Sequence, residues 1–312
     1  MKRNLLLILV SLLVSLAIAE ILVRIVAPVD FKRDERNILY QHDKLLGWFG
    51  KANIEDKFAK AWAPRKITVK NNSLGFRDIE FTDNPDKENI VFLGDSYVWG
   101  YDVEQEERFT EALRKKTNGY DIYNLGVSGY GTDQEFLLLK KYFDKFKPKI
   151  VFLNFCTNND FKDNVTNVRY GGYLRPYFKY EDGQLNLQGV PIPFTNNYKL
   201  ADFYKKHKVL YRSHIVKNVA MMIERQKSTR HKQIFVEDPT VHILAEMNKF
   251  VEGKGSRLVI ISTEYSGVIE DFAKKNNVTY IDVSTDLRYK KRGAHWTPEG
   301  HEFVADKIAN FL

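Results

Sequence analysis

Four short stretches of this chain hold residue types suited to nucleophilic chemistry. Val91-Phe92-Leu93 runs straight into Gly94-Asp95-Ser96, so a buried strand would hand over to a tight turn that lifts one hydroxyl above a sheet edge. Ser96 is then a candidate nucleophile, although a Gly-Asp-Ser tripeptide taken alone reads equally as a polar turn. Asn124-Leu125-Gly126-Val127-Ser128-Gly129-Tyr130-Gly131 is rich in glycine, which lets a backbone N–H approach an oxyanion closely. Thr157-Asn158-Asn159-Asp160 offers a side-chain amide donor, and His295-Trp296-Thr297-Pro298-Glu299-Gly300-His301 carries two imidazoles.

These stretches could meet only if the surrounding elements converge. Apolar runs at residues 90–93, 122–125, 150–155, 258–261 and 278–283 read as strands buried on both faces. Helical patterns alternate with them. Thr132 and Glu135 are spaced as a capping box ahead of Phe136, Leu139, Phe143 and Phe146. Ile243, Leu244, Met247, Phe250 and Val251 form a second apolar stripe closed by Gly253, and Thr297 and Pro298 open a last helix with Val304, Ile308 and Phe311 inward. The alternation predicts a parallel sheet with helices on both faces, whose ligands sit at the carboxyl ends of the strands. All four stretches follow strands at that edge. His301, within the last helix, is expected on its surface rather than in the chemistry.

The remainder of the chain divides into three parts. Residues 1–28 begin with Lys2 and Arg3, continue with an uncharged run at 5–19 and stay apolar past Glu20 and Arg24. This is long enough to cross about 30 Å of hydrocarbon as an uncleaved anchor with the body of the protein outside; cleavage at Ala17-Ile18-Ala19, leaving a secreted or periplasmic protein, is the alternative. Residues 29–88 read as a linker and lead-in, ordered around Gly47-Trp48-Phe49 and Asn72-Ser73-Leu74-Gly75-Phe76-Arg77. From 89 to 312 runs the alternating domain. An aromatic and basic insert at about 161–238 interrupts it, with a hairpin expected at Glu181-Asp182-Gly183.

Composition narrows the function classes. With 312 residues, 44% of them hydrophobic, the chain can bury a sizeable core. Lysine and arginine outnumber aspartate and glutamate 48 to 40, which is either a solvated surface or one that approaches anionic lipid or acidic glycan. No zinc-finger spacing, RNP-like motif or basic heptad array points to nucleic acid. Cys156 is the sole cysteine, so an intrachain disulfide is impossible. The seven histidines lack metal-site spacing, and no metal or cofactor is expected.

The four stretches, in this order, resemble the signature blocks of the SGNH hydrolases, also called GDSL esterases. The resemblance covers residues 89–312, and the membrane segment, the Asn-Ser-Leu-Gly-Phe-Arg lead-in and the His-Trp-Thr-Pro-Glu-Gly-His form are similar to membrane-anchored bacterial members. It implies a flavodoxin-like three-layer sandwich around a five-stranded parallel sheet. It further implies Ser96 as nucleophile, His295 as general base, and an oxyanion hole from Ser96 N–H, Gly129 N–H and the Asn159 amide. The implied activity is a serine esterase or deacylase acting on acyl esters, with O-acetyl groups of cell-surface glycans or a lipid ester as candidate substrates. An acyltransferase of the same fold and a carbohydrate-binding protein without turnover are the alternatives. Two positions depart from the family pattern. Gly293 and Arg292 stand where an aspartate usually orients the histidine, which leaves Asp282, Asp286 or a backbone carbonyl for that role. Thr157 replaces a glycine, which leaves Asn158 as well as Asn159 open as the inward amide.

Overall fold

The computed structural model describes residues 2–27, 39–58, 65–82, 84–170, 172–194, 207, 209–227, 233–290 and 294–312. It resolves two compact units, one comprising Met1–Asn37 with Phe194–Lys232 and the other Ile38–Pro193 with Gln233–Leu312.

In the larger unit, five strands form one parallel sheet: β1 (Glu88–Leu93), β2 (Tyr120–Asn124), β3 (Ile150–Phe155), β4 (Arg257–Ser262) and β5 (Thr279–Asp282). Their spatial order is β2-β1-β3-β4-β5. This is the flavodoxin-like winding, in which the chain reverses direction across the sheet between β1 and β3 and opens a crevice at their carboxyl ends. The central strands are buried on both faces, as their largely apolar runs predict, with Asn154 of β3 the buried polar exception, whereas β5 is an edge strand and only half-buried. Alternate residues point to opposite faces. Ile90, Phe92, Ile150, Phe152, Val259 and Ile261 join Phe109, Leu113, Val304 and Ile308 in one cluster, which seats α3 (Phe109–Lys116) and α9 (Pro298–Ala309) on one side. The other side is covered by α4 (Thr132–Phe146) and α7 (Thr240–Gly253). Two short helices, α2 (Ser96–Trp99) and α5 (Asp160–Asp163), start near the carboxyl ends of β1 and β3, and α8 (Gly267–Lys275) packs against β5.

Several local expectations are met. Thr297 caps α9, accepting from Gly300 N at 3.3 Å, with Pro298 behind it. The hairpin pairs Tyr177–Glu181 with Gln184–Gln188 through Asp182 and Gly183, both at positive φ. The capping box does not form. Gly131 takes the cap position, Glu135 N donates to its carbonyl, and the Glu135 carboxylate is buried without a hydrogen-bond partner.

His301 is also a correction, since it lies inside the fold rather than on the surface of α9. It is 1% exposed, and its Nδ1 accepts from Phe109 N at 3.2 Å. Burial pulls its pKa down to about 3, so the folded ring stays neutral while the unfolded ring titrates near ~6.5. Its contribution to stability is therefore complete above about pH 6.5 and declines as pH falls toward the folded value. On going from pH 7 to pH 5 the wild type should lose about 2 kcal/mol relative to His301→Gln, read by urea unfolding at the two pH values.

From residue 39 the lead-in is part of the same packed body, and the linker expected at 29–38 lies outside the described residues. Trp48 is fully buried and donates from Nε1 to Ser128 O at 3.2 Å, and Gln134 Nε2 reaches Leu46 O at 2.7 Å. Arg77, 1% exposed, donates to Trp99 O, Gly100 O and Val103 O at 3.2, 2.6 and 2.9 Å. Burial lowers its pKa to about 9, which leaves it charged near neutrality. Its neighbour Asp78 accepts from Asn124 N at 2.8 Å and pairs with Arg108 and Arg114. Adjacent residues thus clamp the segment after Ser96 and the end of β2. Arg77→Ala should cost about 3 kcal/mol or more in chemical denaturation, because buried carbonyls lose a charged donor.

Candidate active site

β1 is followed by Gly94, where a Cβ would lie 2.3 Å from Val98 Cγ2; only glycine lets the turn fold back so tightly. Asp95 caps α2 by accepting from Tyr97 N at 2.9 Å, and Gly100 closes the helix in the left-handed conformation. Ser96 is thereby fixed at the first position of a one-turn helix at the sheet edge. The loop after β2 is laced to the same turn. Asn124 Nδ2 donates to Val98 O at 2.6 Å and Val127 N to Gly94 O at 3.0 Å.

The decisive contact joins residues far apart in the chain: His295 Nε2 lies 2.8 Å from Ser96 Oγ. The imidazole is held by flanking rings and by its own backbone. Tyr101 stacks on it at 4.6 Å between centroids, Tyr97 lies at 5.1 Å, and His295 O accepts from Tyr289 N at 2.9 Å. The other ring nitrogen, Nδ1, is buried and makes no hydrogen bond among the described residues; the Asp102 carboxylate stands 3.5 Å from it. Asp102 is buried and sits at φ +68, a left-handed conformation that aspartate tolerates better than most residues.

Asp102 is the residue that sequence reasoning missed. Asp282 and Asp286, the acidic residues just before His295 in the chain, are engaged elsewhere: the Asp282 carboxylate accepts from Ser284 N at 2.9 Å and Asp286 O from Arg288 N at 2.7 Å. Neither carboxylate is paired with His295 among the described residues, and Arg292 and Gly293 lie outside them. The available signal was an acidic residue just beyond a helix-ending glycine, on the strand-to-helix connection that carries the nucleophile.

The two asparagines separate clearly. Asn158 turns outward to Glu264 Oε1 at 2.7 Å, whereas Asn159 Nδ2 donates to Asp95 Oδ2 at 2.5 Å, beside Ser96. Asp160 Oδ2 accepts from Cys156 N at 3.0 Å and so braces the turn. Burial and the Asp95 charge push the Asp160 pKa well up, and burial with Asp160 does the same to Glu135. Ser96, Asn159 and His295 line one cavity of about 250 Å³, with Tyr97, Tyr101, Tyr170 and Arg288 also on its walls. Gly129 is not on the wall. It lies directly behind it at φ +85, where a Cβ would sit 2.7 Å from Tyr170 Oη. A larger open cavity of about 820 Å³, lined by residues including Asn53, Glu80 and Glu104, contains none of these groups. Among the described residues no cluster could hold a metal ion.

A hydroxyl within hydrogen-bond reach of an imidazole, at the switch point of a flavodoxin-like sheet, is an arrangement that can activate a serine for acyl transfer. The chain belongs to the GDSL-like lipase/acylhydrolase family, whose model matches residues 92–303. Its structure is similar to that of a lipolytic protein of the G-D-S-L family from Veillonella parvula, at 12% identity and TM-score 0.41, over 72% of this chain and 98% of that one. It is likewise similar to a GDSL-like lipase from Bacteroides thetaiotaomicron, at 14% identity and TM-score 0.40, over 74% and 91%. A third similar structure is the psychrotrophic esterase EstA from Pseudoalteromonas sp., at 10% identity and TM-score 0.42, over 72% and 96%. No curated protein matches the chain.

Proposed function

We propose that the protein is a serine esterase that removes small acyl groups through an acyl-enzyme on Ser96. The observation that carries this reading is the 2.8 Å contact between His295 Nε2 and Ser96 Oγ. Ser96 Oγ attacks the ester carbonyl carbon as Nε2 takes its proton. The tetrahedral oxyanion is held by Ser96 N–H, Gly129 N–H and the Asn159 amide, and its collapse passes the proton from His295 to the leaving alcohol. Water, activated by the same nitrogen, then releases the acid. Asp102, facing Nδ1, keeps the proton on that nitrogen and so leaves Nε2 free to accept.

A cavity of about 250 Å³ suits a short acyl chain, and acetyl esters on cell-surface glycans are the substrates we favour. Transfer of the acyl group to a sugar hydroxyl would use the same acyl-enzyme. A carbohydrate-binding role without turnover is disfavoured by an orienting carboxylate 3.5 Å from the imidazole. A fluorophosphonate probe tests the reading: it should label the wild type and leave Ser96→Ala unlabelled, and silence from both would refute it.

The smaller unit supports a membrane location. Helix α1 (Lys2–Val26) is long and apolar enough to span a bilayer, and its aliphatic side chains are exposed. We assign it as a retained anchor with Lys2 and Arg3 inside and the esterase domain outside the cytoplasm. Mass spectrometry of the mature protein separates this from a cleaved signal.

A further inference from the structure

The smaller unit contains a helix that α1 does not need in order to span a membrane. α6 (His214–Lys227) begins against the side of α1 at Glu20, where the carboxylate accepts from Ser213 Oγ, His214 N and Ile215 N at 2.8, 2.7 and 3.1 Å. Arg24 completes the arrangement, donating to Glu20 at 2.8 Å and to Arg212 O at 3.0 Å. Four residues along α6, Asn218 Nδ2 donates to Ala27 O at 3.1 Å. The contacts advance in the same direction along both helices, so α6 runs parallel to the end of α1.

This ladder sets a depth. The candidate span of 24 residues, Arg3–Val26, measures about 36 Å as a helix, against about 30 Å of hydrocarbon. Glu20 lies about 9 Å before Val26 along the axis and therefore beneath the outer boundary of a centred span. A carboxylate there is costly unless paired and hydrogen-bonded, and the four donors from Arg24, Ser213, His214 and Ile215 meet that condition. The turn that leads into α6, Leu210–Arg212 with its cap Val209, is tied at the same level. Val209 is 82% exposed and Leu210 46%. Beside them on α1, Ile21, Leu22 and Ile25 are also exposed.

We propose that the turn carrying Val209 and Leu210 inserts into the outer leaflet beside α1, as a second and shallower membrane contact. Exposed aliphatic side chains at hydrocarbon depth, followed by an amphipathic helix running alongside the end of α1, are what a lipid surface accommodates. The inference rests on α1 being a retained anchor, and its test keeps the two separable.

The full chain is reconstituted into vesicles of phosphatidylcholine and phosphatidylglycerol with an environment-sensitive fluorophore at Val209→Cys or, separately, at Leu12→Cys. Cys156 is buried, so the wild type serves as the labelling blank. The fluorophore at position 209 should lose emission to lipids carrying a shallow spin label and be shielded from aqueous iodide. The fluorophore at position 12 should lose emission to deeply labelled lipids. Quenching at 12 together with iodide-accessible, lipid-insensitive emission at 209 overturns the inference and leaves the anchor standing. Aqueous behaviour at both positions overturns both.

Discussion

Ser96→Ala should lower kcat/KM for a short p-nitrophenyl ester by about 10⁴-fold or more, leaving only the background that binding and oxyanion donors provide. The size of the effect follows from the chemistry. Ser96 Oγ has the imidazole nitrogen of His295 at 2.8 Å, and without that oxygen to deprotonate, His295 has only water to activate. Fold stability should change little, because the substitution removes one oxygen from a helix whose cap is Asp95. Equal unfolding transitions for variant and wild type would attribute the loss to chemistry. A fall of less than tenfold would place the nucleophile elsewhere.

Asp102→Asn should reduce kcat by about 10²- to 10⁴-fold with KM nearly unchanged. Asparagine keeps the size of the side chain and tolerates the left-handed backbone at φ +68, so the variant removes charge without forcing the loop to move. What it loses is the acceptor facing His295 Nδ1 at 3.5 Å. The amide can turn its NH₂ toward Nδ1 and favour the tautomer in which Nε2 carries the proton, which is the wrong one for a base. An acyl-enzyme that still forms on mixing, only slowly, would mark Asp102 as a positioning residue for His295. Unchanged kcat would mean a Ser-His dyad, with the ring held by Tyr101, Tyr97 and the His295 backbone alone.

The sheet, its helices and most of the site were legible because they leave local marks. A strand buried on both faces is mostly apolar along its length, and a helix on a sheet repeats its apolar positions at helical spacing. Thr297-Pro298 announces a helix start by its own backbone chemistry, and Asp182-Gly183 a two-residue hairpin turn. Ser96, Asn159 and His295 could be located because each sits in a short block just past such an element.

The misreadings have the opposite character. Thr132 and Glu135 carry the spacing of a capping box, but a glycine one residue earlier took the cap and the carboxylate was buried behind the site. His301 looked like a surface residue until α9 was laid against Phe109. The role of Arg77 was hidden because its partners are carbonyl oxygens, which every sequence supplies equally.

By itself, then, the order of residues determined the alternation of strands and helices, the blocks that hold Ser96 and His295 and the apolar N-terminal helix, since periodicity, caps and tight turns are properties of neighbours in the chain. Only the tertiary structure decided which carboxylate faces His295, which asparagine turns inward and what Glu20 does beside α6. Each of those is a meeting of side chains from distant segments. Its outcome depends on distances of a few ångströms that the packing of the whole unit sets, and spacing along the chain carries no record of them.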